Sequence, residues 1–346
     1  MKAHVGSGCE QREWSYAPPA MGLEIAVGRV AEIHWRFTRA VAAVCGTLRS
    51  TLGFPIKREC FSWDVRPLPC LLQGSPRCGA EVCPMSNLQR AAEALRRSKR
   101  VVFFTGAGIS ADSGIPTFRD KLTGLWAKHD PQRLETADAF RKNPALVWSW
   151  YLWRRQQVGQ AKPNLAHLSI PRIADAGWNV SVVTQNIDDL HERAGSSSVI
   201  HLHGRLMDVK CFGCHRPAEL SPDQLAVPPA GQMIEPPRCT RCNGRLRPGV
   251  VWFRENLPED AWRSAVRLVE ACDLLISVGT SGVVMPAAGI PDMALAAGAT
   301  VIHVNLDDVG MDGAEEIMLV GPAGVVLPAL LQAAGVAGPL QLDGFT

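Results

Sequence analysis

Apolar residues along this chain gather in short runs between longer stretches of mixed polarity. VVFFT (101–105), VSVVTQ (180–185), VIHLH (199–203), LLISVG (274–279), TVIHVN (300–305) and IMLV (317–320) are dense in Val, Ile and Leu. Such runs read as strands buried on both faces, and the helical or looped stretches between them predict a parallel sheet covered on both sides. Helices are predicted at 145–159, at 164–176 despite Pro171, at 188–194 ended by Gly195, and at 258–271, 287–297 and 324–334. Another begins at Ser86, a good capping residue: Leu88, Ala91, Ala92 and Leu95 share one face, and Arg96, Arg97 and Lys99 close its last turn. The fold class is therefore α/β, a doubly wound parallel sheet, with ligand expected at the carboxyl ends of the strands.

Two stretches break this pattern. Residues 206–250 are rich in Pro, Arg and Cys and poor in aliphatics, which marks a small module inserted between residues 85–205 and 251–346 of the larger domain. Inside it, Cys211-x-x-Cys214 and Cys239-x-x-Cys242 are 24 residues apart, close to zinc-ribbon spacing. Four thiolates close a tetrahedral shell, so Zn²⁺ here is structural and metal binding supplies much of the module's folding energy. His215 adjoins the set, which is complete without it.

Residues 1–84 carry Cys9, Cys45, Cys60, Cys70, Cys78 and Cys83 among scattered Trp, Arg, Pro and Gly, and only residues 31–48 show helical promise. The expectation is a poorly ordered appendage, or a chain whose physiological start is Met85, with these cysteines neither bridged nor bound to metal. A second zinc or regulatory module is the competing reading.

Composition narrows the function classes. With 346 residues, 47% hydrophobic and 20% charged, the chain can bury one large core or two modest ones. A net charge of +3 is too small for this length to indicate bulk nucleic-acid binding. No run of 18 uncharged apolar residues is present, so no membrane span is expected; the most apolar tract, 285–304, is broken by Pro286, Pro291 and Asp292. The first residues lack the apolar core of a secretory signal, and Glu10 and Glu13 do not suit a mitochondrial presequence. The grouping of the cysteines then points to a reducing cytoplasm, and a monomer is expected.

Candidate chemistry is concentrated in TGAGISADSGIPTFRD (105–120), TQNIDDLH (184–191) and HLHG (201–204). Gly106, Gly108 and Ala111 fit G-x-G-x-x-G/A directly after a strand, where glycine lets the backbone approach a phosphate and the amides of a helix start favour negative charge. The acidic residue that a hydride-transfer domain places about 20 positions later is missing. A loop with Phe118 and Arg119 stands there instead. Polar residues of TQNIDDLH project from a strand end, although Asn186 and Asp188 are equally placed to cap the helix that follows. His203 sits at a strand mouth, where an imidazole titrating near neutrality can act as general base or simply pack into the core; His201 shares its face. Tyr151 and Arg154 lie at i and i+3 of one helix, where a phenol beside a guanidinium can clamp a carboxylate. The alternative there is a packed Trp150–Trp153 stripe with Arg154 and Arg155 in solvent.

These segments, with GTS (279–281), NLD (305–307) and the four cysteines, resemble the sirtuin family of NAD-dependent protein lysine deacylases from about Met85 to the C-terminus. The resemblance implies an NAD that is consumed. Its contacts would come from Gly106, Ala107, Gly108, Ile109, Ser110, Ala111, Ile115, Pro116, Phe118, Arg119 and Trp126, with Gly279, Thr280 and Ser281 at a ribose. Asn305, Leu306 and Asp307, the last in place of the family's Glu, would lie on the adenosine side, and Ala323 at the adenine. Gln185 and Asn186 would hold the nicotinamide ribose, Asn186 also positioning water, with Ile187 beside them and Asp188 on the carboxamide. His203 would deprotonate a ribose hydroxyl, which attacks an alkylimidate formed by the acyl oxygen; nicotinamide and O-acyl-ADP-ribose leave.

Tyr151 and Arg154 resemble the class III members that favour malonyl-, succinyl- or glutaryl-lysine over acetyl-lysine. The implied partners are proteins bearing acylated lysine. One departure stands out: the family usually reads Gly-Glu after VVWF, whereas here Arg254 precedes Glu255 in a loop that grips substrate peptide. The alternatives are mono-ADP-ribosyl transfer at the same NAD site and a non-catalytic acyl-lysine-binding module.

Overall fold

Ser86 starts the first helix as its side chain dictates. The Gln89 amide donates to Ser86 Oγ at 3.2 Å, and the Ser86 amide donates to Gln89 Oε1 at 2.9 Å, a reciprocal capping box. The computed structural model describes residues 85–116, 130–229, 232–309 and 313–336. The expectations for residues 1–84, and for Phe118, Arg119 and Trp126, lie outside the described residues.

The strands are β1 (Arg100–Thr105), β2 (Asn179–Thr184), β3 (Val199–His201), β4 (Gly204–Cys211), β5 (Leu246–Val250), β6 (Leu274–Val278), β7 (Thr300–Asn305) and β8 (Glu316–Val320). The helices are α1 (Asn87–Arg97), α2 (Pro131–Leu134), α3 (Ala137–Lys142), α4 (Pro144–Gln160), α5 (Leu165–Asp175), α6 (Leu190–Arg193), α7 (Glu259–Ala271), α8 (Ile290–Ala296) and α9 (Ala323–Ala334).

Among the described residues, six strands form a parallel sheet in the order β3-β2-β1-β6-β7-β8. The run VVFF is apolar at every position because both faces are covered. Val101 and Phe103 pack with α1, α5 and α9, while Val102 and Phe104 pack with α7 and α8. From β1 the chain winds outward to β2 and β3, and from β6 to β7 and β8. The crevice between the ends of β1 and β6 is thus a topological switch point, the place where such sheets bind ligand.

β4 and β5 pair antiparallel as a separate hairpin carrying the cysteines. Its apolar partner is α4, which is buried nearly all round. Trp148 and Leu152 pack on Val209, Cys211 and Leu246, and Val147, Trp150 and Tyr151 pack with Leu206, Val250 and Trp252. The second lobe is therefore α4 clasped by the hairpin, and the module's small apolar content is made up by tryptophans from residues before it. Among the described residues no helix is long and apolar enough to cross a membrane.

Candidate active site

Parallel register brings the site together. Thr105, Thr184 and His201 are paired across β1, β2 and β3, so the residues just beyond them emerge at one end of the sheet. The strand predicted to reach His203 stops at His201, and the chain turns at Gly204 into the hairpin, leaving His203 in the bend between the two lobes. The His203 Nδ1 faces the carbonyl oxygen of Gln185 at 2.9 Å. A carbonyl can only accept, so Nδ1 carries the proton and Nε2 presents its lone pair. Burial lowers the pKa of His203 from its usual 6.5, against the opposing pull of the Gln185 carbonyl, which keeps the ring neutral near pH 7. His201, by contrast, has Nδ1 on the Asn186 carbonyl at 3.0 Å and Nε2 on Glu192 at 2.8 Å. Both of its nitrogens are engaged, and it serves to hold the Asn186 backbone.

Ser110 ties the polar cluster together. Its hydroxyl donates to Asp188 Oδ2 at 3.0 Å and accepts from Asn186 Nδ2 at 3.0 Å. Asp188 Oδ1 accepts from the Leu190 amide at 3.1 Å, a local bond to the first residue of α6, whose N-cap is Asp189. Burial pushes the Asp188 carboxyl up, while the Leu190 amide and the Ser110 hydroxyl pull it down.

Two cavities meet here. The larger, about 810 Å³, is lined by Ala107, Ser110, Ile115, Pro116, Glu135, Arg154, Gln185, Asn186, Ile187, Asp188, His203 and the 251–257 segment. The smaller, about 220 Å³, is lined by Gly106, Ala107, Gly108, Ala111, Asp112, Gly279, Thr280, Ser281, Asn305, Leu306, Pro322 and Ala323. Ala107, Gln185, Asn186, His203 and Val284 border both. Two of the described residues read as NAD contacts line neither: Ile109 is in the core beneath the turn, and Asp307 is exposed.

The glycines also let two turns of the protein pack closely. A Cβ on Gly108 would come within 2.7 Å of Gly279 Cα, and one on Gly279, whose φ is +61°, within 2.6 Å of the Gly108 carbonyl carbon. The amides of Gly106 and Gly108 are occupied by the carbonyls of Val278 and Gly279, at 3.0 and 2.9 Å. The close approach seen here is between two turns of the protein, those after β1 and β6, while Gly106, Ala107 and Gly108 also line the smaller cavity.

Tyr151 and Arg154 divide in the same way. Arg154 reaches the cavity wall, 3.9 Å from Glu135, with its guanidinium 5.6 Å from the Trp150 ring. Tyr151 lies behind it, 1% exposed, its hydroxyl accepting from Trp252 Nε1 at 2.9 Å. Glu135 and Trp252 carried no local signal: one is a lone acid in a polar stretch, the other part of an apolar run.

In the hairpin, the Sγ atoms of Cys211, Cys214, Cys239 and Cys242 all lie within 4.8 Å of one another. Cys211–Cys242 and Cys214–Cys239 are 3.4 and 3.9 Å apart, near the roughly 3.8 Å edge of a tetrahedron with 2.3 Å zinc–sulfur bonds. Amides of Gly213 and Cys214 donate to Cys211 Sγ, as suits a thiolate ligand. The donor set fits zinc.

Residues 106–286 match the Sir2 family model. A Pseudomonas putida NAD-dependent protein deacylase is 90% identical over 253 residues, covering 73% of this chain and 97% of that protein. The chain belongs to the Sir2 family. A Mycobacterium tuberculosis NAD-dependent protein deacylase is 47% identical over 234 residues, 67% of this chain and 97% of its own length. Among solved structures, a Sir2 homologue–NAD complex superposes with TM-score 0.65 at 40% identity, covering 72% of this chain and 95% of that one. A Sir2 variant with deacetylated p53 peptide and 3′-O-acetyl ADP ribose superposes with TM-score 0.61 at 31% identity, covering 72% and 99%.

Within the Sir2 frame, the Arg254 departure has a visible backbone consequence. Arg254 adopts φ +70°, the left-handed region that the expected glycine occupies without penalty. What holds the loop there is Glu255: it pairs with Arg247, which is 1% exposed and lies over the Trp252 ring, and accepts from the Trp252 amide at 2.9 Å.

Proposed function

We propose that this protein removes acyl groups from protein lysines in an NAD-dependent reaction, releasing nicotinamide and O-acyl-ADP-ribose, and that it favours succinyl, malonyl or glutaryl groups over acetyl. The observation that carries the reading is that Gln185, Asn186 and His203 stand on the shared wall of the two cavities. A dinucleotide with its adenosine end in the smaller cavity and its nicotinamide end reaching past this wall would meet an acyl-lysine in the larger.

NAD supplies the ribose carbon that takes the acyl oxygen as nicotinamide leaves. His203 accepts a proton from a ribose hydroxyl at Nε2, its tautomer held by the Gln185 carbonyl. Asn186 and Asp188, joined through Ser110, orient the nicotinamide end. Zinc in the four-cysteine shell holds the hairpin against α4 and takes no part in the chemistry. The acidic preference rests on Arg154 in the cavity wall, where an acyl carboxylate gains a charge-assisted hydrogen bond that acetyl cannot make.

The test incubates the full chain with NAD and peptides of one sequence bearing acetyl-, succinyl- or glutaryl-lysine. Arg154→Met is expected to lower kcat/KM for succinyl-lysine by about ten- to a hundredfold, as befits a lost hydrogen bond to a charged group, and that for acetyl-lysine far less. Equal losses on both would refute the acidic preference; no nicotinamide from any peptide would refute the deacylase.

A further inference from the structure

One carboxylate in the larger cavity has no part in the reaction just described. Glu135 lies between α2 and α3, and its side chain is 9% exposed where it borders the cavity. Its Oε1 stands 3.9 Å from Arg154 Nη1. The segment is fixed from behind: the Phe253 amide donates to the Glu135 carbonyl at 2.9 Å, and Thr136 bridges to Phe253. The groups around it are Arg154, Trp150 and the Tyr151 hydroxyl on α4, and Arg254 and the Arg247-paired Glu255 on the 251–257 segment. His203 and Asp188 border the same cavity from the bend after β3 and the segment after β2.

Arg154 therefore already has an anion beside it. A dicarboxylic acyl group brings a second carboxylate to the same guanidinium in a poorly solvated site. Two such groups at one cation repel unless they share a proton, which turns the contact into an O–H···O⁻ hydrogen bond. We propose that Glu135 is a specificity-determining residue: it occupies the place beside Arg154 that an acidic acyl group needs, so that such a group is accepted only with Glu135 protonated, whereas acetyl is accepted in either state. The proton comes from solvent, and protonated Glu135 donates it as a hydrogen bond to the acyl carboxylate. Burial raises the Glu135 pKa, with Arg154 and the Trp150 indole opposing, so the protonated form lies nearer to hand than for an ordinary carboxyl.

This rests on Arg154 being the acyl handle, and the experiment separates the two. The ratio of kcat/KM for succinyl-lysine to that for acetyl-lysine is measured from pH 6 to 9 on the full chain, on Glu135→Gln, on Glu135→Ala and on Arg154→Met. His203 ionisation and any uniform loss from imperfect folding cancel in this ratio. In the native protein the ratio should fall about tenfold per pH unit above the Glu135 titration, since one proton is taken up. In both Glu135 variants it should be independent of pH and should exceed the native ratio above that titration, by a factor that grows about tenfold per unit. A native ratio that is flat with pH and unchanged in both Glu135 variants overturns the proposal. If Arg154→Met also lowers both substrates equally, the handle fails with it.

Discussion

A histidine whose Nδ1 is committed to a backbone carbonyl has only one nitrogen left for chemistry, and at His203 that nitrogen faces the meeting point of two cavities. Because burial lowers its pKa, the base proposed at His203 should titrate on the acid side of the usual histidine value. The acid limb of kcat/KM for acetyl-lysine is expected to have its midpoint below pH 6.5, and a midpoint above 7 would contradict the buried, singly protonated ring. Arg254 makes a different point at the same scale. A non-glycine residue at φ +70° costs about 1–2 kcal/mol. Arg254→Gly relieves this but adds freedom to the unfolded chain, so a net gain in stability of up to about 1 kcal/mol is expected from denaturant unfolding. No change or a loss would mean that the arginine side chain contributes contacts of its own.

Among elements, the hairpin β4–β5 and helix α4 stand or fall together. The sulfur cluster and the Trp148–Leu152–Val209–Leu246 packing form one small core, and zinc binding contributes folding energy outright in modules of this kind. A strong chelator should shift tryptophan emission to the red as Trp148, Trp150 and Trp252 become exposed, while far-ultraviolet ellipticity from the sheet domain largely remains. Full recovery on adding Zn²⁺ checks the assignment. The six parallel strands and the helices packed on them were readable in the sequence because dense Val/Ile/Leu runs and capping residues are local signals. Helices α2 and α3, of four and six residues, are too short to show a period. The reason for Gly108 was unreadable because its neighbour, Gly279, is distant in sequence. Tyr151 and Arg154 do share a face by spacing, but the depth at which each ends is decided by Trp252, which no spacing names. Glu135 was missed because its meaning comes entirely from what α4 brings opposite it.

Across the whole molecule, buried neutral histidines link stability to pH. His167 is fully buried with its pKa lowered by desolvation to about 3, and burial likewise lowers His191 and His203. Their unfolded pKa is about 6.5, so below that value the unfolded chain binds more protons than the native one. Stability is fully present above pH 6.5 and falls as pH drops toward 3, by about 1.4 kcal/mol per unit for each histidine that must stay neutral. Asp188 and Glu135, whose carboxyls burial pushes up, act in the opposite sense. Denaturant unfolding between pH 7 and 5 should show the loss, and His167→Asn should reduce its slope by about one proton. An unchanged slope would mean that His167 is charged in the native state.

The wall that the two cavities share carries a thermodynamic obligation. A ligand on one side of Gln185, Asn186 and His203 alters the surroundings of a ligand on the other. Whatever factor dinucleotide occupancy contributes to the affinity for acyl-peptide, acyl-peptide must return to the dinucleotide in equal measure. Arg154 and Glu135, which line only the larger cavity, can therefore change how tightly NAD is held by changing how the peptide is held.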